Sequence, residues 1–275
     1  MSAPIWQKNK KANIDKAIMD FMAGEDIILD KQLIIFDIKA SKAHVKNLQS
    51  ANILTADEAT QLLKQLNQLA QAVKKNKFIL DEQYEDCHSA IESYLVLKLG
   101  ELGKKIHTGR SRNDQISVAT RLYLKASLSD AMTQVKETVS ICLQQAEATK
   151  QDPMPGYTHL QRAVPSSCGM WFAGFAEAMI DNLMMLQSAL NIIDANPLGT
   201  AAGYGVNLPL DRELTTSELG FSRLQINPIY AQNSRGKYEL QVLFALSQCL
   251  LDIRRYCWDL SLFTTQEFDF VSLPD

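Results

Sequence analysis

Between Pro4 and Pro153 the chain contains no proline. A stretch that long without the residue that breaks helix interiors is free to run as helix. No strand-like alternation of apolar and polar residues persists along it. Cysteine is scarce, and the five present (Cys87, Cys142, Cys168, Cys249 and Cys257) are odd in number and scattered. They lack the close pairs of a metal knuckle or a disulfide framework, so reduced, mostly buried thiols of a cytoplasmic protein are expected. Excess charge is missing as well. A net charge of -3 leaves no basic face for nucleic acid, and Lys8, Lys10 and Lys11 form only a short solvated run. No secretory signal opens the chain. Residues 169–193 are rich in Trp, Phe, Met, Leu and Ile, but Glu177, Asp181, Asn182 and Gln187 interrupt them. Carboxylates inside a membrane are costly. The expectation is instead a helix apolar nearly all round and buried inside protein, with Pro165 near its first turn.

What is present is helix after helix. Hydrophobic residues make up 46% of the 275, enough for a sizeable core in a chain longer than a typical domain. Residues 13–23 read as a short amphipathic helix ending near Gly24, and a second helix runs from about Asp30 to Ser50. Thr55-Ala-Asp-Glu58 is a capping-box pattern. It opens a helix towards Val73, with Leu62, Leu63, Leu66 and Leu69 on one face. Another helix follows Glu85-Asp86, whose carboxylates suit an N-terminus, and it fades near Gly100 and Gly103. These elements make a helical first domain, residues 1–106. Beyond it the periods lengthen: Leu128, Met132, Val135, Val139, Cys142 and Ala146 alternate four and three apart. Val242, Leu246, Cys249, Ile253, Tyr256, Leu260 and Phe263 do the same. Such seams predict long helices packed nearly parallel, a bundle domain over residues 107–275. The fold class is all-α, and a helical assembly shared between subunits would cover the apolar 165–193 helix.

Three polar clusters punctuate these helices. His107-Thr-Gly-Arg-Ser-Arg-Asn-Asp-Gln115 holds Arg110 and Arg112, whose guanidinium forks suit carboxylates. Thr108, Ser111 and Asn113 add neutral hydrogen-bonding groups, and Gly109 permits close backbone approach. Together they predict a site for a small polycarboxylate. Pro155-Gly-Tyr-Thr-His-Leu-Gln161 carries His159 after Thr158 in a Gly/Pro-flanked turn, where an imidazole can exchange a proton near neutral pH. Asn196-Pro-Leu-Gly-Thr-Ala-Ala-Gly-Tyr-Gly205 has glycines that would let backbone amides meet an anion. It is no phosphate loop, since no Gly-Lys-Ser/Thr follows. Nothing in the sequence suggests a metal site.

These clusters, with Gly24-Glu-Asp-Ile-Ile-Leu-Asp30, Ser41-Lys-Ala-His44, Glu85-Asp-Cys-His-Ser89 and Asn196-Pro-Leu-Gly199, resemble the fumarase/aspartase superfamily. Within it they are most similar to the argininosuccinate lyase branch, along essentially the whole chain. Arg-Ser-Arg-Asn and Thr-His-Leu-Gln are specific to that branch. The resemblance implies a cofactor-free, reversible β-elimination of argininosuccinate to arginine and fumarate. It also implies a homotetramer whose active sites draw on three subunits. By the same resemblance His159 belongs to the proton-transfer apparatus, while Arg112, Asn113 and Thr158 hold substrate. Asp26 falls where many members carry a substrate-contacting serine. Asp86, His88, Gln161 and Arg235 are supports, although Asp86 also reads as a helix cap and Arg235 as a surface charge. In the family a mobile Gly/Ser-rich loop supplies a catalytic serine, and by resemblance it would begin after Val271-Ser-Leu-Pro-Asp275. The expectation is therefore the front part of a lyase, inactive by itself. The alternatives are a superfamily lyase of another succinyl adduct and a crystallin-like structural tetramer.

Overall fold

The structure is a computed structural model that describes residues 21, 24–81 and 83–273. The expected helix at 13–23 and the basic run at Lys8, Lys10 and Lys11 lie outside the described residues, apart from Phe21. The chain is predominantly helical, as its patterning predicts, and its packing separates into two compact units. Among the described residues, the first comprises those up to Tyr123 and Asp194–Arg235, the second Leu124–Ile193 and those from Gly236 on. That partition is made by contacts and cuts the chain differently from the expected division at 106/107.

The first unit opens with α1 (Asp26–Ser50), α2 (Ala56–Lys74), α3 (Cys87–Leu99) and the single turn α4 (Glu101–Lys104). A 3-10 turn, Lys105–His107, then leads into α5 (Arg112–Ala148), whose first three turns belong to this unit. Local chemistry sets the helix starts. Thr55 Oγ1 accepts from the Glu58 amide at 3.2 Å while Glu58 Oε2 accepts from the Thr55 amide at 2.9 Å. This reciprocal pair satisfies two amides that a helix start otherwise leaves unpaired. Asp86 caps α3 in the same way, accepting from the Ser89 amide at 2.7 Å. Gly100, with φ +57, ends that helix. Ile34, Ile38, Leu48, Leu62, Leu66, Leu69, Ile91, Leu95 and Ile106 form the core between these helices. At about 1.5–3 kcal/mol for each fully buried side chain, this cluster stabilises the unit more than any of its caps. Asp194–Arg235 also belongs here, with β3 (Ala195–Asn196), α7 (Arg212–Leu219), β4 (Arg223–Leu224) and α8 (Pro228–Asn233). Leu198, Leu219 and Phe221 pack on Ala40, Ala43, Val118 and Leu122.

The second unit joins the rest of α5 to a hairpin, β1 (Pro153–Thr158) and β2 (Gln161–Ser167), then α6 (Cys168–Ile193) and α9 (Lys237–Phe263). Its core follows the predicted seams in part: Leu128 and Val135 of α5 meet Met179, Leu186 and Ala189 of α6 and Val242, Ala245 and Cys249 of α9, whereas Ile253 of the expected α9 seam is exposed. Gly169 allows the start of α6 to lie close on the end of α5, because a Cβ there would sit 2.5 Å from the Ala146 carbonyl oxygen. One expectation needs correction. Pro165 lies in β2, register partner of Pro155, and the helix starts three residues later at Cys168. Prolines at 153, 155 and 165 cannot sit in a helix interior, and pairing across the hairpin supplies the alternative. Within one chain α6 buries only part of its circumference. Ala176, Met179, Asn182, Leu186, Ala189 and Ile193 are covered, whereas Met170, Ile180 and Met184 are exposed. Among the described residues no helix is long and apolar enough to cross a membrane.

Candidate active site

The head of α5 is held by its own side chains. Asp114 is fully buried; it accepts from the Ser111 amide at 2.9 Å, which caps the helix from inside its first turn. Its other oxygen accepts from the amides of Gly199 at 2.9 Å and Ala201 at 3.0 Å. The glycine loop's amides therefore meet an anion, as expected, but the anion is the chain's own carboxylate rather than a ligand. Burial pushes the Asp114 carboxyl up against the pull of these three amides. Arg212 shapes the same loop, donating to the carbonyls of Leu198 at 2.9 Å and Gln225 at 2.7 Å.

The two arginines of the first cluster have different fates. Arg110 is 6% exposed and donates to Ser41 Oγ at 2.8 Å. It is an interior group, which corrects the expectation of two forks open to a ligand. Arg112 is half-buried and grips both oxygens of Asp86, at 2.5 and 2.7 Å. Asn113 beside it accepts from Arg235 Nη1 at 2.9 Å. With its oxygen so engaged, the Asn113 amide donates through its nitrogen to Ser111 Oγ at 3.2 Å. Arg235 is thus more than a surface charge, and Asp86 is both a cap and an ion-pair partner.

Asp26 is exposed at the start of α1. Partial burial raises its carboxyl, and Asp30, Asp86 and Glu85 raise it further, which places four carboxylates in one neighbourhood. His88 lies beneath, its Nδ1 2.7 Å from Asp37 Oδ2. Burial alone would lower the imidazole, but the charge and hydrogen bond of Asp37 win and raise it above the ordinary histidine range. Asp30, Cys87 and His88 also present possible metal-ligand atoms within 4.8 Å of one another. The Asp30 carboxylate is already used by the Cys87 amide at 2.9 Å, and burial with neighbouring carboxylates drives the Cys87 thiol far up. The trio reads as a packed polar junction.

Asp26, Asp86, His88, Arg112, Asn113 and Arg235 all belong to the first unit. Thr158, His159 and Gln161 belong to the second, at the tip of the hairpin, where all three are exposed. His159 and Leu160 form its two-residue turn with φ of +54° and +58°. Such turns favour Asn-Gly, and a bulky residue held at positive φ is strained. Asp37 and Asp114 organise the site and were not picked out from the sequence. The signal for Asp37 was present: it is a single carboxylate inside Leu33-Ile-Ile-Phe-Asp-Ile38.

A helix head presenting an arginine–asparagine pair, and long helices carrying a histidine-tipped hairpin, define a lyase-type helical fold. The EDDS lyase structure in complex with formate superposes with a TM-score of 0.82 and 24% identity. That match covers 96% of this chain and 52% of the other. The sequence profile of a family described as lyase matches residues 11–275, and the chain belongs to that family. It is 57% identical over 274 residues to the argininosuccinate lyase of Xanthomonas oryzae pv. oryzae (strain PXO99A). The same identity holds against the argininosuccinate lyase of Stenotrophomonas maltophilia (strain R551-3). In both comparisons all of this chain is matched, and it spans 63% of the relative's length.

Proposed function

We propose that the chain is part of a carbon–nitrogen lyase that converts argininosuccinate reversibly to arginine and fumarate. The identity to argininosuccinate lyases along the whole chain carries this reading, and the Arg112–Asn113 pair at the head of α5 supports it. A base takes the proton from the carbon next to a substrate carboxylate, and the electron pair is held as a dianion. The carbon–nitrogen bond then breaks and the guanidino nitrogen leaves with a proton, so no redox partner or cofactor is needed. Arg112, Asn113 and Thr158 hold substrate carboxylates, His159 takes part in the proton transfer, and Asp26 lines the site. Asp86 and Arg235 orient Arg112 and Asn113, with His88 and Gln161 as further supports. The divisions 1–106 and 107–275 correspond to a first helical domain and a central bundle. That bundle pools its exposed apolar faces in a cytoplasmic homotetramer with shared sites.

Fumarate release from argininosuccinate, followed by ultraviolet absorbance, tests the reading. The assay uses the chain alone and the chain mixed with the C-terminal part of the Xanthomonas relative. Turnover that depends on the mixture is expected. No fumarate under either condition would sink the proposal, and turnover by the chain alone would show that its own residues complete the chemistry.

A further inference from the structure

Asp37 touches none of the residues assigned to substrate, yet three helices converge on it. It is 0% exposed, in α1. Its Oδ2 lies 2.7 Å from His88 Nδ1, in the first turn of α3, and accepts from Gln115 Nε2 at 2.8 Å, in the first turn of α5. Oδ1 accepts from Gln115 Nε2 at 3.1 Å and from Ser41 Oγ at 3.3 Å, and Ser41 in turn takes a hydrogen bond from buried Arg110. The two helix starts that share this carboxylate also carry Asp86 and Arg112, which pair across them. Asp86 lies two residues before His88, and Arg112 three before Gln115. A neighbouring pin, from His44 Nε2 to the Thr108 carbonyl at 2.9 Å, fixes the approach to α5.

We propose that Asp37 is a positioning residue: by binding His88 and Gln115 together, it sets the separation of α3 and α5 at which Asp86 orients the Arg112 guanidinium for a substrate carboxylate. Burial would push the Asp37 carboxyl up, but His88, Arg110 and Gln115 hold it below the usual carboxylate range, so the hub keeps its charge. A buried carboxylate accepting from several donors is a stiff junction, because a donor left unpaired there has no water to turn to. The inference rests on the reading of Arg112 as a substrate-holding residue.

The test follows exchange of the Arg112 guanidinium hydrogens by nitrogen-15 NMR in this chain, assigned by their loss in Arg112→Lys. Asp37→Asn removes the hub. Gln115→Met, close in shape, removes only the α5 arm and serves if Asp37→Asn does not fold. Leu66→Ala, in the leucine core of the same unit, controls for lost stability alone. Exchange at least threefold faster in Gln115→Met, and in folded Asp37→Asn, but not in Leu66→Ala, is expected. A smaller change in Gln115→Met, or an equal one in Leu66→Ala, overturns the proposal. Where the fumarate assay gives turnover, KM rises in the hub variants and stays unchanged in Leu66→Ala; an unchanged KM in the hub variants would also overturn it. Failure of wild type to release fumarate would sink the proposed reaction and leave the exchange result to decide this one.

Discussion

The head of α5 and the tip of the β1–β2 hairpin carry the two halves of the candidate chemistry, and they are built in opposite ways. At the helix head Arg112, Asn113, Asp114 and Gln115 each bind another group of the chain. At the hairpin tip the side chains of Thr158, His159 and Gln161 have no hydrogen bond among the described residues, and the turn is held at positive φ. A binding surface gains from groups fixed in advance, because ordering them on binding costs affinity. A group that must exchange a proton needs a free nitrogen within reach of its target.

The largest effect that would test this contrast is on turnover. His159→Asn, in the enzyme that releases fumarate, is expected to lower kcat by about 10²–10⁴, the usual worth of a proton-transfer group. Denaturant stability should not fall, since asparagine suits this turn and the His159 side chain has no hydrogen bond among the described residues to lose. A kcat within threefold of wild type would remove His159 from the chemistry.

At the helix head the cost should appear in stability instead. Gly109 has φ +68, and a Cβ there would lie 2.9 Å from Leu208 Cδ1. Gly109→Ala should destabilise by about 1–3 kcal/mol in urea unfolding. No loss would mean that the loop into α5 is less tightly built than its hydrogen bonds indicate.

Acid sharpens the comparison further. Burial, with the nearby Arg110 charge, lowers the His44 imidazole to about 3, from an ordinary 6.5. His44 is therefore neutral in the fold. Below pH 6.5 the unfolded chain takes up a proton that the folded chain refuses, so stability present above 6.5 is lost as pH falls towards 3. The slope is about 1.4 kcal/mol per pH unit. His44→Gln should flatten that slope in melting curves, and an unchanged slope would count against the assignment. His88 runs the other way. Its raised value adds stability below the ordinary histidine range, which is lost as pH rises through the folded value.

The smallest expected effect is at the tip. Leu160 is 71% exposed and held at φ +58°. Leu160→Gly should stabilise the chain by about 0.5–1 kcal/mol, the relief of positive φ less the entropy of glycine. Destabilisation would mean that the leucine side chain is used within the chain.

Much of this architecture was legible before folding. Thr55 and Asp86 announce helix starts because a cap is a local bargain between a side chain and an amide three residues on. The four-and-three seams of α5 and α9 were readable because every turn repeats the same demand for cover. The hairpin was not, because a strand declares itself only through its partner, and three prolines with a histidine–leucine turn give no alternation. Arg110 and Arg112 look alike on paper, two residues apart. Which one is enclosed depends on where Ser41 and Asp37 of α1 come to lie.

The sequence by itself determined the helical class, the caps, the seams and where the polar clusters fall between the helices. Each of these follows from spacing within a few turns, where side-chain chemistry and helix period suffice. Only the tertiary structure decided that the Gly199–Ala201 amides bind Asp114, that Arg110 is interior, and that one buried carboxylate joins three helices. Those are meetings of residues from 51 to 87 positions apart. No local rule specifies them, because they exist only once the apolar faces have driven the helices together.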